Sequence, residues 1–210
     1  VHVGRGGIGP ALETMDQLGI ASTLIYEFWG TFAGGDPRHT MPGIRLANGA
    51  WRAVNAIASE ASLAYPERFA SVVKVDRTDP QLRAVLDVIA STPHIKGIRV
   101  LPAWSVADIA SFAAGGCDEI FGIAQDLAIP VFLFAPGQMA LLRPYLARFP
   151  RLTMIVDHCG MPFANIPFDG PKGAPQPGPE YFDEVLKLAE FPNAALKWSH
   201  AIALFGPQYP

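Results

Sequence analysis

With 210 residues, half of them hydrophobic, 17% charged and a formal net charge of −3, the chain has the composition of a compact enzyme domain and not of a disordered segment. Mild acidity without any basic cluster argues against nucleic acid as a partner. The longest apolar run, 127–135, is interrupted by Pro130 and is too short to span a membrane. Cys117 and Cys159 build no disulfide framework, which points to a reducing compartment and a cytoplasmic location. Val1 stands where an initiator Met would, so the N-terminus reads as the inside of a longer protein.

In chain order, residues 1–3 read as a scrap of strand and 4–7 (Gly-Arg-Gly-Gly) as a loop without the spacing of a phosphate-binding motif. Residues 8–18 read as a helix ended by Gly19 and 20–28 as a β-rich strand. A long Pro- and Gly-rich loop is expected over 30–48, then a helix over 50–65 closed by Pro66. Strands follow at 69–75, 95–101, 129–134, 152–156 and 194–199. The helices between them are 80–90, one or two pieces within 104–127 broken at Gly115-Gly116, 138–148 and 179–189. Seven apolar strands alternating with helices, with no break in composition, specify an α/β protein with a parallel sheet covered by helices. The whole of 1–210 reads as a single domain. Seven units in line favour a (β/α)8 TIM barrel over a doubly wound sheet, with about seven of the eight βα units present.

The C-terminal ends of parallel strands carry chemistry, because their loops vary while the sheet holds still. Those ends offer His2, Glu27, Lys74 with Asp76, Arg99, Phe134, Asp157 with His158, and finally Lys197, Ser199 and His200. Such a set can activate water and bind an anionic small molecule. Each residue has a plainer reading: His158 as a packed core histidine, His2 as a solvated chain end, His200 as a loop cap, Glu27 and Lys74 as structural ion pairs. Cys159 reads as a small packed residue more than as a nucleophile, and His39 and His94 as surface residues. Phe28-Trp29 and Trp104 fit either a pocket wall or a cover over the strand ends.

The run Asp157-His158-Cys159-Gly160-Met161-Pro162, after Phe149-Pro150-Arg151-Leu152, resembles a strand-end element of amidohydrolase-related TIM-barrel hydrolases. Three further pieces fit in order: Val1-His2-Val3, Lys96-Gly97-Ile98-Arg99 and Ala195-Leu196-Lys197-Trp198-Ser199-His200. The resemblance implies a hydrolase, of lactonase type in the first place and a nonoxidative decarboxylase in the second. A truncated barrel without catalysis is the third reading. It implies a divalent metal, commonly zinc, in some members and metal-free lactone hydrolysis in others. His2 and His158 are the residues that match metal ligands, and His158, Lys197, Arg99 and His200 match the catalytic group. A histidine that metal-binding members carry falls near Phe134, where this chain has none, and the eighth-strand aspartate falls beyond Pro210. Two ligands do not hold a catalytic zinc, which takes three plus water. Self-association is also expected of such barrels, with Phe112 or Trp51 as candidate contact residues.

Overall fold

The computed structural model describes residues 2–3, 7–27, 43–162, 167–170 and 181–199, with His2 and Val3 described by backbone alone. The chain falls into two compact units, Val1–Arg99 and Val100–Pro210.

In the first unit, β1 (His2–Val3), β2 (Thr23–Glu27), β5 (Phe69–Lys74) and β6 (Ile95–Val100) lie in that order, and every pairing among them is parallel. The helices α1 (Ile8–Gln17), α2 (Ala56–Ala64) and α3 (Leu82–Ala90) connect them. Met15 of α1, Ile25 of β2, Ala58 and Ala61 of α2 and Phe69 of β5 form one buried cluster. Small alanines on α2 let the helix approach the strands closely. Side chains alternate across a strand, so Glu27 shares the helix-side face with Ile25, while Tyr26 takes the opposite face.

The expected loop over 30–48 and the helix from residue 50 need correction. An antiparallel hairpin, β3 (Gly43–Arg45) with β4 (Trp51–Ala53), occupies part of both, and α2 starts only at Ala56. Apolar residues at 50, 51, 53 and 54 fit either period over so short a run, which is why the pattern read as helix. Asp76 pins the hairpin: its Oδ2 accepts the Trp51 N–H (2.8 Å), and Oδ1 accepts the N–H and hydroxyl of Thr78.

Arg52 of the same hairpin donates through Nε (2.8 Å) and Nη2 (2.6 Å) to the buried carboxylate of Asp79. That hydrogen-bonded guanidinium holds the Asp79 carboxyl below the usual carboxylate range, against the opposing pull of burial. A carboxyl lowered on folding contributes stability that is present above its unfolded value and lost as pH falls through the folded one. Asp79→Asn is therefore expected to lower the melting temperature at pH 7 and to flatten its further fall below about pH 4. A melting series from pH 7 to pH 2 on both proteins checks this.

The second unit has parallel strands β7 (Val131–Leu133), β8 (Met154–Val156) and β9 (Ala194–Leu196), in register Val131↔Met154↔Ala194. Its helices are α4 (Val106–Ala113), α5 (Asp118–Asp126), α6 (Met139–Arg148) and α7 (Phe182–Leu186). The break between α4 and α5 falls at Gly115-Gly116, as the sequence predicts. α4 begins with a capping box: Ser105 Oγ accepts the Asp108 N–H while the Asp108 carboxylate accepts the Ser105 N–H.

Phe112 stacks on Tyr145 at 4.7 Å, and Phe121 meets Tyr145 and Phe149 edge-on. Phe112 is fully buried, so its expected place in a subunit contact is overturned: the side chain belongs to the α4–α6 core. The buried Asn193 amide donates to the carbonyls of Leu146, Phe149 and Leu152. One side chain thereby satisfies the end of α6 and the entry to β8. No helix among the described residues is long and apolar enough to cross a membrane.

Candidate functional site

β8 ends on four residues that break from extended structure together. His158 (φ 53°, ψ 44°), Cys159 (φ 57°, ψ 17°) and Gly160 (φ 67°) all adopt left-handed backbone. Two consecutive non-glycine residues in that region carry strain of about 1–2 kcal/mol each, and such strain persists only where the surroundings impose it. Here the surroundings are explicit. Lys197 N donates to Val156 O (2.9 Å), Cys159 N to Lys197 O (3.2 Å) and Met161 N to His158 O (3.2 Å). Gly160 has φ 67°, and a Cβ there would stand 2.7 Å from Met139 Sδ and 3.2 Å from Val156 Cγ1, so a larger residue would be strained.

The turn buries Asp157 and His158 and presents them to residues just past β9. His158 Nδ1 lies 2.8 Å from Ser199 Oγ, and Lys197 Nζ donates to Asp157 Oδ1 at 3.1 Å. The Asp157 side chain is wholly buried while that of Lys197 is 37% exposed, so the pair runs from the interior outward. The Ser199 contact at Nδ1 fixes the orientation of the imidazole. The Phe134 ring meets the imidazole edge-to-face at 5.6 Å, and Trp104 packs on Phe134 at 5.8 Å. Burial pushes the Cys159 thiol up from its ordinary value, which disfavours the thiolate and removes the nucleophile reading.

Of the sequence candidates, the second unit brings together His158, Lys197, Asp157 and Ser199. Arg99 lies in the first unit, buried, with its guanidinium 4.3 Å from the Tyr26 ring centroid and its backbone in register with Lys74. Glu27 serves the fold: its Oε2 accepts the Ala58 N–H (3.1 Å) in the first turn of α2, where an anion meets the positive helix end. Asp76 is likewise bound up with the β3–β4 hairpin. His200 and His39 lie outside the described residues, as does the side chain of His2. The aromatic wall of Trp104 and Phe134 beside His158 was left open by the sequence. Nothing at positions 104, 134 and 158 signals contact, because only the fold brings such distant residues together.

A metal can be tested against the donor set. Among the described residues no group of three or more His, Cys, Asp or Glu side chains is placed to hold one. His158 is the sole imidazole at this strand end among them, and Phe134 stands where another ligand is expected. A catalytic zinc takes three protein ligands, so the described residues do not by themselves fit a metal centre.

Comparison with known proteins places these features. The family model described as Amidohydrolase matches residues 28–209. An amidohydrolase from Burkholderia multivorans, solved with bound Zn, superposes with a TM-score of 0.60 at 17% identity, over 90% of this chain and 58% of that one. An uncharacterized TIM-barrel protein from Bordetella bronchiseptica gives 0.54 at 17% identity over the same shares. A dihydroorotase from Campylobacter jejuni gives 0.52 at 15% identity, over 93% of this chain and 51% of that one. At these identities the likeness shows the fold, a TIM-barrel α/β architecture. The chain spans between half and three-fifths of the length of these proteins. No curated protein matches it.

Proposed function

The chain belongs to the amidohydrolase family, and we propose that it acts as a hydrolase on a small, anionic carbonyl substrate, a lactone or related cyclic ester. The observation that supports this reading most is the strained turn after β8. It sets a buried His158, held at Nδ1 by Ser199, beside a Lys197–Asp157 pair and an aromatic wall. Lactone hydrolysis adds water across the carbonyl carbon and breaks the ring C–O bond, leaving a hydroxy acid. His158 Nε2 is suited to exchange a proton with water or the leaving oxygen, and Ser199 fixes the ring for it. Lys197, whose ammonium is part-exposed, is suited to meet substrate negative charge and the oxyanion of the tetrahedral intermediate. Arg99 is assigned to the substrate's anionic end, and His200 and His2 are retained as further site candidates.

The test uses the full-length protein, before and after chelation, on three compounds: δ-valerolactone, coumalate (a flat lactone with one carboxylate) and isophthalate. One equivalent of acid released per lactone opened, with no carbon dioxide from isophthalate, is the expected result. Carbon dioxide release without lactone opening would replace the reading by a carboxy-lyase. No turnover of any compound would favour a non-catalytic barrel. Loss of activity on chelation would show that residues outside the described set complete a metal site.

A further inference from the structure

The second unit holds a polar group that the proposed chemistry does not use. Trp104 is 5% exposed, and its Nε1–H is buried with no hydrogen-bond partner among the described residues. Buried indole N–H groups normally find an acceptor, since leaving one unmade costs the full desolvation of that group. Slack in the backbone does not account for it. Trp104 immediately precedes the Ser105–Asp108 capping box, and its own carbonyl accepts the Phe168 N–H at 3.0 Å. The 167–170 segment is tied to the same place a second time, by Val106 N donating to Asp169 Oδ1 (2.8 Å).

The indole therefore sits in a fixed stack. One neighbour is Phe134 (5.8 Å, 45°), which in turn meets the His158 ring (5.6 Å, 84°). The other is Phe168 (6.4 Å, 39°), whose side chain is only part-buried. Rotation of the phenyl ring about its own χ1 would leave the backbone bond to Trp104 made. Departure of the ring would bare the Trp104 face that it covers.

We propose that Trp104 is a specificity-determining residue. Its indole N–H donates to an oxygen acceptor on a flat, unsaturated substrate, which lies against the Phe134–Trp104 wall in the place of the Phe168 ring. The wall selects for planarity and the N–H for a carbonyl or carboxylate oxygen at the edge of the plane. This rests on the His158 end of the unit being the substrate site.

Trp104→Phe keeps an aromatic ring in the stack and removes the donor together with part of the indole's volume. The probe is isophthalate, a flat dicarboxylate, titrated calorimetrically into the full-length protein. The expected result is a Kd about tenfold higher in Trp104→Phe, with the melting temperature measured beside it to show that the variant is folded. Phe168→Ala, which strips the cover, is expected to bind isophthalate at least as tightly as the unaltered protein. A Kd within twofold of the unaltered protein in Trp104→Phe would overturn the proposal, leaving the residue as wall alone. Failure of the unaltered protein to bind isophthalate would overturn it as well. Isophthalate binding without lactone opening would leave the Trp104 assignment standing and remove the hydrolase reading, so the two fail separately.

Discussion

Replacing His158 with Asn is expected to slow lactone opening by about 10²–10⁴-fold, the usual worth of a positioned acid or base, while leaving the fold intact. The choice of Asn follows from the backbone. His158 holds φ 53° and ψ 44°, a conformation that Asn adopts far more readily than Ala, so the substitution removes the imidazole without adding strain. Its side chain is shorter, and the contact between Nδ1 and Ser199 Oγ is lost with the ring. If His158 were only a packed histidine, the result would invert. The edge-to-face contact with Phe134 would be the main loss, melting would fall by a few degrees, and turnover would stay within a few-fold. Measuring kcat/KM on δ-valerolactone beside the thermal melt separates the two. Ser199→Ala belongs in the same series: a ring held through Nδ1 loses orientation, so turnover falls less than in His158→Asn but in the same direction.

The parallel βα order was legible because apolar strands and capped helices are local patterns. All seven expected strands keep their places within about three residues, and Gly115-Gly116 divides α4 from α5 where predicted. The β3–β4 hairpin was not legible. Its strands are three residues each, and its anchors, Asp76 and Asp79, lie more than twenty residues downstream. The site divides the same way. The Asp157-His158 element announced itself at the end of a buried strand, but the left-handed backbone at His158 and Cys159 did not, since neither is a glycine. Nor did the element's partners. That Lys197 meets Asp157 and Ser199 meets His158 follows from Val156 pairing with Leu196, a register that no local pattern carries. Glu27 shows the opposite hazard. A carboxylate at a strand end invites a functional reading, yet its place on the helix-side face gives it α2 to cap.

Lys197→Met is the second large effect expected, and it decides between two roles for one ammonium. Lys197 Nζ reaches a carboxylate whose side chain is wholly buried. Removing the cation leaves that carboxylate short of a compensating charge, whereas removing the carboxylate leaves an ammonium that water can still reach. Lys197→Met is therefore expected to destabilise by about 1–3 kcal/mol, and Asp157→Asn by less. The double variant should lose less than the sum of the two, with a coupling of about 1 kcal/mol. Kinetics then assign the role. If Lys197 also meets the substrate's negative charge, KM for coumalate rises in both Lys197→Met and the double variant, because neither has the ammonium. If it serves only to neutralise Asp157, the double variant recovers KM along with stability. The uncharged δ-valerolactone is the internal control. A loss confined to coumalate places the ammonium on the substrate carboxylate, and an equal loss on both lactones places it on the carbonyl oxygen that becomes the oxyanion.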